Sequence, residues 1–270
     1  MNKVIAIGRI TFLEAVRDRF FNFVFILSFL MLATGSFFLR FDFGSKDVDF
    51  LISFSIGTLS FFGLLISIIL VVHLWFSEIQ NRTILTILAR PVSRLEYLLG
   101  KWLGCFFLVV SFTFLLGIIS FVSIVFWNFI VRGFGLDALN FLFIPYLTQL
   151  LALSLKLLVI TSIVLMVSVI GSSSLFSTLV SFVLLLICMF QFVARDSFLE
   201  MAFFPFGWFS GLVSIIIPSY QVLDYNFMRI FGEENWNQKF FYFLGYSILY
   251  IIGYLIAALL IFRKKQVIQQ

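Results

Sequence analysis

The sequence predicts an all-α membrane protein with about six transmembrane helices, and three observations carry that class. Hydrophobic residues fill 62% of the 270 positions, charged residues only 11%, and mean hydropathy is +1.15. A soluble domain carries roughly 25% charged residues, so this chain has too few to cover a surface in water. Apolar runs of about 20 residues, long enough to cross a hydrocarbon core, recur from near the start to near the end. The net charge of +5 sits mostly beside those runs, where it acts as a topology signal and not as a nucleic-acid surface.

Taken in order, residues 1–19 mix Lys3, Arg9, Glu14, Arg17, Asp18 and Arg19 with apolar positions. At 100° per residue Ile5, Phe12, Leu13, Val16 and Phe20 share a stripe, with Glu14 and Asp18 roughly opposite. That pattern predicts an amphipathic helix lying in the membrane interface. A cleavable signal peptide is not expected, because the basic region is long, contains acids and precedes no small-residue cleavage site. The expected spans are 20–39, 50–76, 102–127, 143–170, 175–193 and 240–262, within one permease-like domain over 1–270. A short polar stretch, 40–49, separates the first two, and Gly171-Ser172-Ser173-Ser174 makes a tight turn before the fifth. The 40 Phe residues read as lipid-facing filler.

Residues 194–239 are not simply polar. Phe203–Ile217 is apolar but broken by Pro205, Gly207 and Gly211 and closed by Pro218, which predicts a re-entrant outer segment before the last span. A seventh span over 198–217 is the rival. Charge decides for six: the inner segments then hold Lys3, Arg9, Arg17, Arg19, Arg82, Arg90, Arg94, Lys101 and the Arg263-Lys264-Lys265 tail. The outer ones hold Arg40, Lys46, Arg132, Arg195, Arg229 and Lys239, so the bias is positive inside and both termini are expected in the cytoplasm.

Cys105 and Cys188 lie in different spans, toward opposite faces, and read as small buried hydrophobes. One His, His73, near the inner end of the second span, leaves no metal cluster of usual spacing. Lys156 stands near the middle of the fourth span, where an ionisable group is expensive and marks a possible pathway. Its alternatives are snorkelling, or burial against hydroxyls such as Ser154 or Thr161. No Asp or Glu falls within the core of any expected span, so no intramembrane partner is expected for it. That same absence speaks against an ion-coupled carrier. Pro218, Tyr220 and Asp224 read as a turn leading to the last helix.

The connector 77–101 is the most informative stretch. Asn81 can cap a short helix from about Arg82 that includes Ile84, Leu85, Ile87 and Leu88, and Pro91 ends it. Ser93 and Glu96 then have the spacing of a capping box at the start of the third span. The string from Glu78 through Thr83, Arg90-Pro91-Val92-Ser93-Arg94 and Leu99-Gly100-Lys101 resembles the cytoplasmic loop of ABC transporter permeases of the type 2 export class. Arg82 departs from it, standing where Gly is common. The six-span layout, the N-terminal helix and the apolar outer segment resemble that family too.

The resemblance implies a permease subunit without its own motor. Two separate ATP-binding subunits would hold ATP and Mg and dock on the connector and the N-terminal helix, and a second permease copy, identical or similar, would complete the pathway among membrane lipids. Leu85 and Leu88 would give apolar contact, and Arg82, Arg90 and Arg94 would meet acidic groups; Glu78, Thr83, Pro91, Glu96 and Lys101 complete the docking set. The chain shows no phosphate-cradling loop: Gly100-Lys101 lacks the upstream Gly and runs into Trp102. No catalytic residue, cofactor or metal is therefore expected in this chain, and no nucleic-acid partner. A membrane scaffold and an ion-coupled secondary carrier are the other classes.

Overall fold

The computed structural model describes residues 2–38, 47–81, 92–132, 136–200, 216–224 and 235–264, and these are helices joined by short turns. In chain order they are α1 (Asn2–Arg17), α2 (Arg19–Phe38), α3 (Asp47–Leu65), a π-helical turn (Ile66–Leu70), α4 (Val71–Gln80), α5 (Arg94–Arg132), α6 (Leu136–Ile170), α7 (Ser174–Glu200), α8 (Tyr220–Leu223) and α9 (Trp236–Lys264). Among the described residues five stretches are long and apolar enough to cross a membrane: Phe50–Gln80, Arg94–Phe126, Phe143–Ile170, Ser174–Gln191 and Trp236–Lys264; Arg19–Gly35 is a shorter apolar helix. No strand occurs among the described residues. The all-α membrane class follows directly.

Large apolar side chains point outward as well as inward. Phe23, Ile26, Phe29, Phe107, Ile118, Val122, Leu175, Leu179, Phe190, Leu249 and Ile256 are all exposed. Water would penalise each by roughly 1.5–3 kcal/mol relative to burial, whereas acyl chains do not, so lipid is the solvent this surface is built for. α6 is the hub. Its apolar stretch is buried nearly throughout, while α7 and α9 bury only a small part of theirs. Leu150, Leu153, Leu157, Val159 and Ile163 of α6 pack with Leu59, Phe62, Ile66 of the second span and Phe112 and Leu116 of α5.

α1 docks along the start of α5 through small residues. A methyl group placed on Gly100 would lie 2.7 Å from Ile7 Cβ, and one on Gly104 would lie 2.6 Å from Thr11 Cβ and 2.8 Å from the Gly8 carbonyl. Gly100 and Gly104, four apart, therefore open a groove that lets the two backbones approach, as small residues do in membrane helix pairs. The buried side of α1 is Ile7, Gly8, Thr11 and Ala15, while Ile5, Leu13 and Val16 of the apolar stripe stay exposed. α1 thus meets α5 with Ile7 and its small residues and leaves Ile5, Leu13 and Val16 exposed. Between α1 and α2, the Asp18 carboxylate accepts the Phe20 N–H at 2.7 Å and caps the second helix.

Two local expectations have direct geometry. The Ser93 N–H donates to Glu96 Oε2 at 2.8 Å and the Glu96 N–H to Ser93 Oγ at 3.2 Å, both bonds of a capping box at the head of α5. Ser173 opens α7 in the same manner, its hydroxyl accepting from the Phe176 N–H at 3.3 Å. Cys105 and Cys188 are buried free thiols. Of the expected re-entrant segment, 201–215 lie outside the described residues; residues 198–200 continue α7, and 216–224 return into the bundle.

Gly104→Ala should lower thermal stability in detergent by about 1–3 kcal/mol, the usual cost of overpacking a tight contact. Gly253→Ala, which meets nothing within 4 Å, should be neutral or mildly stabilising. Equal responses from the two variants would show that the α1–α5 contact is loose.

Candidate functional site

Among the described residues two charged clusters interrupt the apolar bundle, one at the α4 end of the second span and the other around Lys156 at the middle of the fourth. The first brackets the connector. Leu74 and Glu78 share a face of α4 at a four-residue spacing, and Tyr97 and Lys101 share a face of α5 at the same spacing. Packed together, they place the Lys101 ammonium 2.7 Å from Glu78 Oε1, and the same nitrogen donates to the Leu74 carbonyl at 2.9 Å. The Tyr97 hydroxyl donates to the other Glu78 oxygen. All three side chains are buried. The pair is thus closed off from solvent, with each charge met by a second polar group.

Aromatic rings roof this pair. Trp75, Tyr97 and Phe262 lie with ring centroids 5.7–6.1 Å apart. Arg94 reaches across to the end of α9, donating from Nη1 to the carbonyls of Phe262 at 2.9 Å and Arg263 at 2.8 Å. A cation on the last carbonyls of a helix satisfies orphan acceptors and suits the helix dipole. α1 joins from the other side: the Ser77 hydroxyl donates to Glu14 Oε1 at 3.2 Å, and His73 Nε2 lies 3.2 Å from the Asp18 carboxylate. The acids placed opposite the apolar stripe of α1 therefore face the end of α4.

The second cluster surrounds Lys156, which is close to midway between Phe143 and Ile170 and 1% exposed. Here the structure corrects the sequence reading. Lys156 does have an acidic partner: Asp224 Oδ1 lies 2.5 Å from its ammonium, although Asp224 belongs to no span. Ser60 of α3 accepts a second N–H at 2.9 Å, and the Tyr220 ring centroid lies 4.3 Å from the nitrogen. Ser154 and Thr161, expected as hydroxyl partners, bond instead to the carbonyls of Leu151 and Leu158 on their own helix. An acid carried into the bundle by a returning segment escapes any count of charges within spans. The argument against an ion-coupled carrier from missing acids therefore falls.

The returning segment is held by its backbone. The Tyr254 hydroxyl donates to the Ile216 carbonyl at 2.7 Å, and the Ser219 N–H donates to the Tyr246 hydroxyl at 2.7 Å. Tyr254 is about two-thirds of the way along α9, so the Ile216 backbone is held well along that helix although its side chain is exposed. Non-helical backbone alongside a span needs this kind of protein cover. Tyr242, Tyr246, Tyr250 and Tyr254 stack as a ladder, with successive centroids 6.2, 4.7 and 6.2 Å apart. The four-residue tyrosine repeat is the signal in the sequence that would have found it. The Gly100–Gly104 spacing would likewise have found the α1 groove.

Among the expected docking residues, Arg82, Thr83, Leu85, Leu88, Arg90 and Pro91 lie outside the described residues. The structure brings Glu78 and Lys101 together inside the protein, engages Arg94 with the end of α9, and uses Glu96 in the capping box. These four act on the chain itself, bracing the two ends of the connector.

Fold and site together define a multi-pass helical membrane protein in which the two ends of the connector are braced. A family model described as "ABC-2 family transporter protein" matches residues 12–188. The chain belongs to that ABC-2 transporter family, as an ABC-type permease subunit, and subunits of this family generally pair with ATP-binding subunits. No curated protein matches the chain significantly.

Lys101→Met should destabilise the protein by about 3–5 kcal/mol, because it strands Glu78 as an uncompensated buried charge. Tyr97→Phe should cost less, about 2 kcal/mol for one hydrogen bond to a charged group. Thermal unfolding in detergent reads both, and a Lys101→Met effect no larger than that of Tyr97→Phe would contradict the buried pair.

Proposed function

We propose that this chain is the membrane-spanning half of an ATP-driven exporter, working as a homodimer or as a heterodimer with a similar permease, with two ATPase subunits that hold ATP and Mg. It resides in the cytoplasmic membrane with both termini in the cytoplasm. The family match carries this reading, and the braced connector supports it. The ATPases dock on Leu85 and Leu88 through apolar contact and on Arg82 and Arg90 through charge.

The bracing gives such docking a mechanical consequence. α4 and α5 are locked by Glu78, Lys101 and Tyr97, and Arg94 ties them to α9. A push on the connector therefore moves the second, third and last spans as one body instead of bending a loop. The N-terminal helix moves with them, since it is packed into the α5 groove. Rotation of two such bodies against each other would alternate access to a path between the copies, with Lys156 as a pathway residue.

Charge reversal at Arg82 and Arg90 together should abolish ATPase co-purification and permease-stimulated hydrolysis, since like charges across a close interface cost several kcal/mol. Membrane insertion should be unaffected, because neither side chain belongs to a span. Full binding and stimulation by the double variant would sink the docking assignment.

A further inference from the structure

We infer that Lys156 is an exchange site for an amphiphile with one anionic head (carboxylate, phosphate or sulfate) and an apolar chain, the head taking the place of Asp224. The inference deepens the permease reading, on which its meaning for transport rests; the binding itself does not depend on an ATPase.

Four observations lead there. First, Lys156 is a fixed, buried cation at mid-span, and such a charge is sustained only with an anion in contact. Second, that anion is not built into a span. It is the side chain of Asp224, directly after the four-residue α8, and it is 58% exposed where Lys156 is 1% exposed. A carboxylate so exposed beside a mid-span lysine opens onto space that an arriving anion can enter.

Third, the remaining contacts of Lys156 survive the exchange. Ser60 on α3 holds one N–H and the Tyr220 ring covers the ammonium, so a new head group needs only to replace one oxygen. Fourth, the Tyr220 ring that covers the ammonium also forms one wall of a narrow apolar crevice. Ile160, Ile163 and Val164 of α6, Leu185 and Cys188 of α7, and Leu223 of α8 line it. An ammonium bordered by apolar side chains inside a bilayer suits a head group that carries an apolar chain. Because the head replaces one anion by another, the site remains neutral throughout. Asp224, released, can turn to the exposed side while Tyr220 stays over the ammonium.

Equilibrium binding of radiolabelled decanoate, below its micellar concentration, to the full purified chain in non-ionic detergent tests this. Saturable binding about tenfold tighter than that of decan-1-ol is expected, the factor a charge-assisted hydrogen bond supplies. Asp224→Asn should tighten decanoate binding about tenfold by removing the competitor, and Lys156→Met should erase the preference for the anion. Acetate and inorganic phosphate should compete poorly, since they lack the chain. Repeating the assay in phosphatidylcholine nanodiscs with and without phosphatidylglycerol separates sources: competition by the anionic lipid assigns the site to a headgroup, and its absence to a free amphiphile. No preference of the wild-type chain for decanoate over decan-1-ol overturns the proposal whatever the variants do, as does equal decanoate affinity in a folded Lys156→Met protein. If decanoate binds as expected but no ATPase associates, the permease reading fails and the site stands.

Discussion

A lysine buried among apolar helices must find an anion within contact distance, and the interior of this protein is arranged around two such lysines. Lys101 finds Glu78 and Lys156 finds Asp224. Both pairs draw their members from different elements, so each neutralisation is also a tie between helices. Other inter-helix bonds, such as Trp102 to Ser162 and Tyr146 to Ser120, join neutral groups. The bundle's serine and threonine hydroxyls mostly bond carbonyls of their own helices, as Ser28, Thr58, Thr113, Ser168 and Ser247 do, and its apolar packing tolerates sliding more readily than charge pairs do.

The second span connects the two pairs. Ser60, a partner of Lys156, and Glu78, the partner of Lys101, stand on the same rod about 27 Å apart at 1.5 Å per residue, with the π-helical turn Ile66–Leu70 between them. A π turn inserts a residue into the helical register and often marks a functional position. Above it, Gly63 admits the Leu157 side chain of α6 so closely that a methyl there would lie 2.5 Å from a Leu157 carbon. On the permease reading, force on the connector travels along this rod from the locked Glu78–Lys101 end toward the exposed Asp224 end. One pair is sealed and the other is open to its surroundings, which suits one to transmit and the other to exchange.

Composition made the class legible, because lipid as solvent leaves its mark on every span. The capping box and the connector motif were legible for a related reason: both are local patterns, set by residues three or four apart. Lys156 was legible as an anomaly, but its partner was not. Asp224 looked like a turn residue because only the return of 216–224 beneath the tyrosine ladder brings it to mid-span. Glu78 and Lys101 were read as surface groups for the same reason: they are 23 positions apart in number (78 to 101) and meet only when α4 and α5 pack antiparallel. Long-range pairing of charges is what a single sequence carries least of. The groove at Gly100 and Gly104 and the ladder on α9 were written in plain four-residue spacing, and so were available to a sequence reading.

The account depends most on Lys156 being held by Asp224 inside the bundle, and a double-mutant cycle measures that directly. Lys156→Met and Asp224→Leu should each lower the unfolding temperature in detergent, since each single change leaves the other charge without its partner. The double variant should regain most of the loss, with a coupling of about 1–3 kcal/mol, within the range for residues in contact. Strictly additive effects, within about 0.5 kcal/mol, would mean that the two side chains do not meet, and the returning segment would have to be placed elsewhere.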